Sequence, residues 1–261
     1  MSLSDSNALT AAVEISNPEG SGAALILCEH ASNHFPAQFG NLGMQAADQD
    51  SHAAWDPGAR AIALHLSQML DAPMVASRVS RLVYDCNRPP EAASAMPEKS
   101  ELIEVPGNRN LTDEQRQKRV NEVYHPFCDA VSDVIKARQN AGLQTVLITV
   151  HSFTSIYFGQ QRSVEIGILH DDDTSMADAM LANAPSLSHR RVERNQPYGP
   201  QHGVTHSLQL HGITNGLANV MLEVRNDLLR SPDDETAMAE ELLVLIRPAL
   251  ATLAQQGGKN A

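Results

Sequence analysis

The sequence predicts a single α/β domain, spanning residues 1–261, with helices on both faces of a mainly parallel or mixed central sheet. The chain length of 261 residues suits one large domain and is short for two. Strand-like apolar runs alternate with helical patterns along most of the chain. Neither an internal repeat nor a low-complexity segment interrupts this alternation. Residues 1–20 are expected to form a flexible N-terminal segment.

The bulk composition argues against several function classes. The formal net charge of −12 would repel a phosphate backbone, so a nucleic-acid partner is not expected. No apolar run approaches the ~20 residues needed to span a bilayer, and the start of the chain does not follow the pattern of a signal peptide. The three cysteines form no CxxC pair, which favours a reducing cytoplasm. A membrane partner is not expected, whereas a homo-oligomer is compatible with the sequence.

Apolar patterns predict the elements of the first third of the chain. Residues 23–28 are a short apolar run, which predicts the first buried strand. Residues 55–58 open a helix, and residues 73–77 and 81–84 are predicted to be two further strands. The apolar face of that helix comprises Ala59, Ile62, Ala63, Leu66 and Leu70.

A long loop and a long helix are predicted next. Residues 86–110 contain four prolines and no periodicity, and a loop of this length in a compact domain is usually functional or mobile. Thr112 followed by Gln115 predicts a capping box that begins a helix, and Gly142 supplies its end. The predicted buried face of this helix comprises Val120, Val123, Tyr124, Phe127, Val131, Val134 and Ile135.

The rest of the chain returns to the alternation of strands and helices. The predicted elements are strands at 145–150 and 164–169, a helix opening near Asp173, an irregular segment at 194–216, a strand at 220–224, and an amphipathic helix over about 233–256 that is ended by Gly257 and Gly258.

Polar side chains follow the predicted strands at the points where they end. In open α/β sheets, ligands bind beyond the carboxyl ends of the strands. These strand ends carry Glu29, His30, Asp85, Asn87, Arg88, His151, Glu223, Arg225 and Asn226. Imidazoles, carboxylates and guanidiniums in one place suit a metal ion together with an anionic substrate.

His30 and His151 each follow an apolar run directly. A single histidine at such a position more often packs and donates to a carbonyl, but the pair favours neutral-imidazole ligands of a zinc-type ion. A catalytic zinc site needs a third protein ligand, for which Asp56 and Glu29 are the candidates. Asp56 also suits the cap of a helix that begins with Pro57. Glu29 should point away from its strand neighbour His30.

Glu223 interrupts a buried apolar strand. An unpaired carboxylate is expensive to bury, so Glu223 either pairs with Arg225 on the same face or serves as a general base that takes a proton from water. The second interpretation is favoured. Arg81, Arg88 and Arg225 also have a simpler interpretation than a role in the site. The chain has more acidic than basic residues, so all three could be engaged in ion pairs.

Asn87 and Arg88 stand at a predicted strand end before two prolines. A planar guanidinium binds a carboxylate with two hydrogen bonds and a neighbouring amide can add a third, so the pair suits a substrate carboxylate. His202, His206 and His211 could contact the substrate or support the metal ligands. A solvated loop position is the simpler interpretation for His202.

Six short blocks contain the candidate site residues. They are CEHASN at 28–33, WDPGA at 55–59, SRLVYDCNRP at 80–89, HSF at 151–153, NQPY at 195–198 and LEVRN at 222–226. As a set, in this order across roughly residues 24–230, they resemble the N-formylglutamate amidohydrolase family. Any one block alone would be a weak signal. More distantly, that family is similar to the zinc carboxypeptidases and aspartoacylase.

The resemblance implies a zinc carboxypeptidase-like, phosphorylase/hydrolase-like fold and an amidohydrolase activity. In the wider group an Asn–Arg pair holds a substrate carboxylate, a His–Ser pair supplies a zinc histidine, and a Glu near a later strand end activates water. Carried over to this chain, the resemblance implies Asn87 and Arg88 for the carboxylate. It likewise implies His151 for the metal and Glu223 as the base.

The acidic metal ligand departs from the wider group. That group has a Glu three residues after its first zinc histidine, whereas Asn33 follows His30 at this distance, and an amide oxygen is a poor zinc ligand. An Asp matching Asp56 recurs in amidohydrolase-type sequences, so the resemblance implies Asp56 instead. Zinc, or another divalent metal, is therefore expected to bind to His30, Asp56 and His151.

Residues and resemblance together predict a cytoplasmic, zinc-dependent amidohydrolase of histidine degradation. Its expected partner is a small-molecule N-acyl amino acid, with an acidic amino acid and a formyl or other acyl group, such as N-formylglutamate. Arg81 or Arg225 is expected to offset the oxyanion charge together with the metal, and Arg225, His211 and Tyr198 to contact the substrate. Two alternatives stay open: an amidohydrolase for a different N-acyl amino acid, and a non-catalytic small-molecule or metal-binding protein that keeps the site.

Overall fold

Twelve strands and six α-helices are assigned in the computed structural model, which describes residues 8–9 and 12–257. The strands are β1 (Ala8–Leu9), β2 (Val13–Ser16), β3 (Ala24–Cys28), β4 (Met74–Ser77), β5 (Lys99–Ser100), β6 (Ile103–Glu104), β7 (Val146–Phe153), β8 (Ile156–Tyr157), β9 (Gln160–Gln161), β10 (Ile166–Leu169), β11 (Val192–Arg194) and β12 (Asn219–Arg225). The α-helices are α1 (Ala46–Gln49), α2 (Ala59–Met69), α3 (Asp113–Arg119), α4 (His125–Asn140), α5 (Ser175–Ala182) and α6 (Pro232–Gly257).

Eight of these strands form one mixed sheet in the order β1-β2-β4-β3-β7-β12-β10-β11. The four central strands, β4, β3, β7 and β12, run parallel to one another, so their carboxyl ends meet at one edge of the sheet. In contrast, β2 lies antiparallel to β4 and β10 lies antiparallel to β12. The predicted α/β fold is confirmed, with a sheet of the mixed kind.

Helices cover both faces of the central sheet, which explains why β3 is apolar throughout. Ala24, Ile26 and Cys28 of β3 belong to the core cluster that includes residues of α2, α5 and α6. Leu25 and Leu27 point the other way, into the cluster that contains the apolar face of α4. A fully buried leucine contributes about 1.5–3 kcal/mol relative to an exposed one, so β3 anchors both layers of the fold.

The long helix predicted after Thr112 is confirmed, with one irregular turn. Gln115 N donates to Thr112 Oγ1 at 3.2 Å and Thr112 N donates to Gln115 Oε1 at 2.9 Å, so the capping box forms. A π-helical turn over Val120–Tyr124 joins α3 to α4. The predicted apolar face lies in the core, and Gly142 follows the end of α4 with a φ of 66°.

Residues 81–84 are a turn and not a strand, contrary to the prediction. The Ser80 hydroxyl donates to Ala54 O at 2.8 Å and accepts from Leu82 N at 3.2 Å. Val83 N also donates to Ser80 O, at 2.9 Å. Side-chain-to-backbone bonds of this kind compete with strand pairing. The segment is apolar because Leu82 and Val83 pack into the core, not because it joins the sheet.

Part of the N-terminal segment expected to be flexible is a strand. β2 lies within residues 1–20 and pairs with β4 along its whole length. The Glu14 carboxylate on β2 accepts two hydrogen bonds from Arg60 of α2, from Nε at 3.1 Å and from Nη2 at 2.7 Å. Its sequence, VEIS, contains the charged Glu14, so no continuous apolar run marks this strand. Residues 1–7 and 10–11 lie outside the described residues.

The other predicted elements agree with the structure to within a few residues. The strand predicted at 145–150 extends to Phe153 in β7, and α5 begins two residues after Asp173. The final helix, α6, ends at Gly257, and Gly258 lies outside the described residues. Within residues 8–9 and 12–257, none of the helices combines the length and apolar character that crossing a membrane requires.

Two short hairpins stand apart from the main sheet. β5 and β6 form the first hairpin inside the loop 86–110, and β8 and β9 form the second directly after β7. Phe158 N in the second hairpin donates to the Glu101 carboxylate in the first at 2.8 Å. The two hairpins are therefore joined, although more than fifty residues separate them in the chain.

Candidate active site

A cavity of about 320 Å³ opens at the carboxyl edge of the parallel strands. Its wall comes from the turns after β3 and β4, from β7 and β12, and from the segments 86–110 and 194–216. The predicted site residues that line it are His30, Asp56, Arg81, Asn87, Arg88, His151, Tyr198 and Glu223. The fold thus brings together all but two of the predicted side chains.

His30, Asp56 and His151 converge in this cavity. His30 Nδ1 lies 3.2 Å from Asp56 Oδ2, His151 Nδ1 lies 3.0 Å from the same oxygen, and the two Nδ1 atoms are 3.2 Å apart. Each residue exposes at most 5% of its surface. Within the part of the chain that the structure describes, these three residues are the one group of histidines, cysteines and acids that could hold a metal ion.

A carboxylate lies behind each of the two histidines. His30 Nε2 donates to Asp85 Oδ1 at 2.7 Å, and His151 Nε2 lies 3.2 Å from Glu29 Oε2 without the alignment of a hydrogen bond. A carboxylate at Nε2 favours the tautomer with its proton there, which leaves Nδ1 available as a ligand. Glu29 therefore orients His151 and is not the third ligand.

The donor atoms of the triad fit a divalent metal. The two Nδ1 atoms and Asp56 Oδ2 face one another, and Arg81 Nη1 lies 3.3 Å from His30 Nδ1. Ligands of one tetrahedral zinc ion, with bonds of about 2.0–2.1 Å, are separated by roughly 3.3 Å. The observed separations of 3.0–3.2 Å are close to that value. Imidazole and carboxylate are also donors that zinc takes in catalytic sites.

The charges around the triad favour positive charge at its centre. Burial lowers the pKa of His151, but Glu29 and Asp56 outweigh this effect and raise the pKa well above its ordinary value. Burial acts in the same way on His30, and there Asp85 and Asp56 outweigh it and raise the pKa. Three buried carboxylates beside two imidazoles thus stabilise a cation at this position.

Asp56 faces the cavity and does not cap α2. The capping position belongs to Gly58, whose φ of 81° favours glycine. Arg81 Nη1 donates to Asp56 Oδ1 at 2.9 Å, and the same guanidinium bonds to two carbonyls of the preceding segment. Burial raises the pKa of Asp56, but Arg81 and His30 outweigh it and lower the pKa below its ordinary range. Arg81 therefore keeps Asp56 ionised and oriented, while its predicted contact with an oxyanion stays a prediction.

Glu223 enters the cavity from β12 beside His151. The two residues are partners in the pairing of β12 with β7, and Gly167 of β10 is the partner of Glu223 on the other side. Burial raises the pKa of Glu223 to about 7. In the described part of the chain no hydrogen bond reaches its Oε2 atom. A buried carboxyl group with such a pKa is suited to accept and return a proton near neutral pH.

Arg225 and His211, which were predicted to contact the substrate, do not line the cavity. Arg225 Nε donates to Asp227 Oδ1 at 2.7 Å, and Nη2 lies 3.7 Å from Glu165 Oε1. These carboxylates and nearby carbonyls satisfy the guanidinium at the end of β12. Arg225 therefore does not pair with Glu223, the carboxylate on its own strand. His211 packs inside the turn Leu208–Gly212, where burial lowers its pKa to about 4 and keeps the ring neutral.

Asn87 and Arg88 both line the cavity, but their side chains are engaged differently. Asn87 Nδ2 donates to Val204 O at 2.6 Å, and its Oδ1 accepts from Ser207 N at 2.9 Å. The amide therefore ties two cavity-lining segments together. Arg88 Nη1 donates to Asn87 O at 2.7 Å. Among the described residues this is the one hydrogen bond of the Arg88 guanidinium, so most of its N–H groups can face a ligand.

Other cavity residues had no predicted role in the site. Asp85 sits in a recognised polar block, so its place beside His30 could have been proposed from the pattern of a carboxylate supporting a metal histidine. Lys99, Glu101 and Tyr157 come from the two hairpins. Their positions depend on contacts between distant segments, for which the sequence carries no local signal.

Two solved structures are similar to this chain. The crystal structure of gene product Atu2144 from Agrobacterium tumefaciens has a TM-score of 0.92 and 50% sequence identity, and the match covers 94% of this chain and 97% of that one. The crystal structure of N-formylglutamate amidohydrolase from Ralstonia eutropha JMP134 has a TM-score of 0.64 and 19% sequence identity, and the match covers 95% of this chain and 100% of that one. At this identity the second likeness shows the fold alone. A comparison with curated proteins finds no match.

A family model matches the part of the chain that contains the six sequence blocks. The model of N-formylglutamate amidohydrolase matches residues 22–230, most of the chain. This span contains the four central parallel strands, the triad and Glu223. The chain belongs to the N-formylglutamate amidohydrolase family.

Proposed function

We propose that this chain is a metal-dependent amidohydrolase that cleaves the N-formyl or N-acyl amide of an acidic amino acid such as N-formylglutamate. The convergence of His30, Asp56 and His151 beside the buried carboxyl group of Glu223 is the observation that carries the proposal. Membership of the amidohydrolase family supports hydrolysis of such an amide.

Protein side chains supply substrate binding and proton transfer. Arg88 binds the substrate carboxylate at the cavity wall. Glu223 takes a proton from the attacking water as the water oxygen bonds to the carbonyl carbon. It then returns the proton to the amine nitrogen as the C–N bond breaks. The products are formate, or the carboxylate of another acyl group, and the free amino acid.

The metal would be zinc or a similar divalent ion held by His30, Asp56 and His151. When bound, such an ion polarises the amide carbonyl and lowers the pKa of water. Asp85 and Glu29 keep the two rings oriented for it from the side of Nε2.

Metal analysis combined with a formate-release assay tests the proposal. We expect about one metal ion per chain and release of formate from N-formylglutamate. The His151→Ala protein should lose both properties, because it removes a ligand. His189→Ala is the matched control, since His189 is exposed and should keep both. A His151→Ala protein that retains metal and turnover would falsify the proposal.

A panel of N-acyl amino acids separates the alternatives. Turnover of another N-acyl amino acid but not N-formylglutamate would identify a different amidohydrolase. Bound metal without hydrolysis of any member of the panel would favour the non-catalytic binding protein.

A cytoplasmic place in histidine degradation belongs to the same proposal. It is supported by the three free cysteines among the described residues and by the family resemblance.

A further inference from the structure

Arg162 does not line the cavity, but its guanidinium lies against three aromatic rings. Its guanidinium carbon lies 4.4 Å from the ring centroid of Tyr157, 4.7 Å from that of Tyr198 and 5.5 Å from that of Phe153. Tyr157 and Tyr198 line the cavity, whereas Arg162 does not. Cation–π contacts at these distances hold the guanidinium and the rings together.

A hydrogen bond from Arg162 restricts the direction of the Tyr198 proton. Arg162 Nη1 donates to the Tyr198 hydroxyl oxygen at 2.8 Å. A guanidinium has no acceptor, so the hydroxyl cannot donate back to it and must direct its own proton elsewhere. Tyr198 lines the cavity and Arg162 does not, so a substrate in the cavity can offer an acceptor for that proton.

Backbone contacts hold Arg162 at this position. Arg162 N donates to Ser155 O at 2.8 Å, across the base of the hairpin formed by β8 and β9. The carbonyl of Arg162 accepts from Arg225 Nη1 at 3.2 Å. Arg225, which the sequence assigned to the substrate, therefore supports the hairpin that carries Arg162.

We propose that Arg162 is a positioning residue: it orients the Tyr198 hydroxyl so that its proton is donated to the substrate's amide oxygen as negative charge develops there. This inference rests on the proposed function. Burial and the charge of Glu223 raise the pKa of Tyr198 to about 12, so the hydroxyl keeps the proton that a donor requires. A preorganised donor of this kind acts mainly in the transition state.

Substitutions at the two positions give distinct kinetic signatures. Removal of one transition-state donor lowers kcat by about 100-fold or more, so Tyr198→Phe should do so with little change in KM. Arg162→Met should lower kcat by roughly tenfold, because the hydroxyl remains but is no longer oriented. Arg162→Lys should recover part of the loss, and it also serves as the test if Arg162→Met does not fold.

The double variant tests whether Arg162 acts through Tyr198. If it does, Tyr198→Phe combined with Arg162→Met should be no slower than Tyr198→Phe alone. The Arg162→Met protein should have the same metal content as the wild type, because the triad is untouched. Its metal-free form should bind N-formylglutamate with the wild-type dissociation constant, because Arg88 is untouched. Arg247→Met, at an exposed arginine of α6, is the control and should leave all values unchanged.

Several outcomes would overturn the inference. Multiplicative losses in the double variant would mean that Arg162 acts independently of Tyr198. A raised KM with unchanged kcat would mean that the pair binds the ground state only. Wild-type rates in Arg162→Met, with an active wild-type enzyme, would refute this inference but leave the proposed function standing. A wild-type protein inactive on every N-acyl amino acid would refute the proposed function and this inference with it.

Discussion

At the scale of single residues, the protonation of two imidazoles decides whether a metal can bind. Asp85 at His30 Nε2 and Glu29 near His151 Nε2 favour the proton on that nitrogen in each ring. Both Nδ1 atoms then face Asp56 Oδ2 with a lone pair that a metal ion could use. The supporting carboxylates are consequently as specific a feature of the site as the three proposed ligands.

The Asp85→Asn substitution should weaken zinc binding by about 10- to 100-fold, the usual cost of losing a supporting carboxylate. The amide is close in shape to the carboxylate but lacks the charge that favours a proton on His30 Nε2. Competition with a chromogenic chelator measures the affinity. Asp172→Asn, at an exposed aspartate, is the matched control. Equal affinities in the two variants would contradict the assignment of Asp85.

The Glu223→Gln substitution should separate catalysis from metal binding. We expect kcat to fall by about 10²- to 10⁴-fold, the range for loss of a general base. The metal content should remain at the wild-type level, because Glu223 is not a member of the triad. Formate release and elemental analysis on one sample give both values, with Glu240→Gln on the exposed side of α6 as control. If the metal and the activity are lost together, Glu223 acts as a metal ligand and not as a general base.

At the scale of secondary structure elements, close backbone approaches hold the cavity wall. A Cβ atom on Gly167 of β10 would lie 2.0 Å from Gln196 O, so only glycine lets the segment before Tyr198 pass this strand. In the loop 86–110, buried Asn108 donates to Leu82 O at 2.9 Å and to Pro97 O at 2.8 Å. These bonds explain how a proline-rich segment without periodicity adopts one conformation.

Gly167→Ala should therefore disturb both stability and activity. We expect a loss of about 1–3 kcal/mol in the free energy of unfolding, the usual cost of an overpacked site, and a lower kcat because Tyr198 shifts. Urea unfolding and formate release measure the two effects. Gly40→Ala is the control: its Cβ would meet nothing within 4 Å, although its φ of 59° still carries a backbone cost. If Gly167→Ala keeps the wild-type kcat, the position of Tyr198 does not depend on the close approach of Gly167 to Gln196.

At the scale of the whole molecule, the site concentrates negative charge in the interior of a protein whose net charge is already −12. Glu29, Asp56, Asp85 and Glu223 are all buried around the two histidines. A bound divalent cation offsets this charge and binds only to the folded state. Metal binding is therefore expected to stabilise the entire fold.

Removal of the metal should lower the melting temperature. An ion present at 100 times its dissociation constant contributes about 2.7 kcal/mol, equivalent to roughly 5–10 °C for a domain of this size. Thermal melts with and without a chelator, followed by addition of zinc, measure the shift. The His151→Ala protein is the control and should show no shift. Identical melting temperatures for the wild type in both conditions would exclude a metal site of this strength.

Much of the architecture follows from local patterns in the sequence. The apolar run of β3, the capping box at Thr112 and the periodic face of α4 depend on neighbouring residues only, so their positions are predictable. The segment 81–84 was wrongly predicted to be a strand, because an apolar turn packed in the core has the same composition as a strand. The direction of β10 against β12 is likewise a property of pairing and not of either strand alone.

The sequence was enough to predict the family, most of the longer helices and buried strands, and the placement of His30, His151 and Glu223 at or near the ends of parallel strands. The partners of those side chains became known only from the folded chain. Asp85 and Glu29 orient the histidines, while Arg225 turns to acids outside the cavity. The reason is physical: secondary structure follows from periodicity over a few residues. The rotamer of a buried charged group follows from its nearest partners, and here many of those lie tens of residues away along the chain.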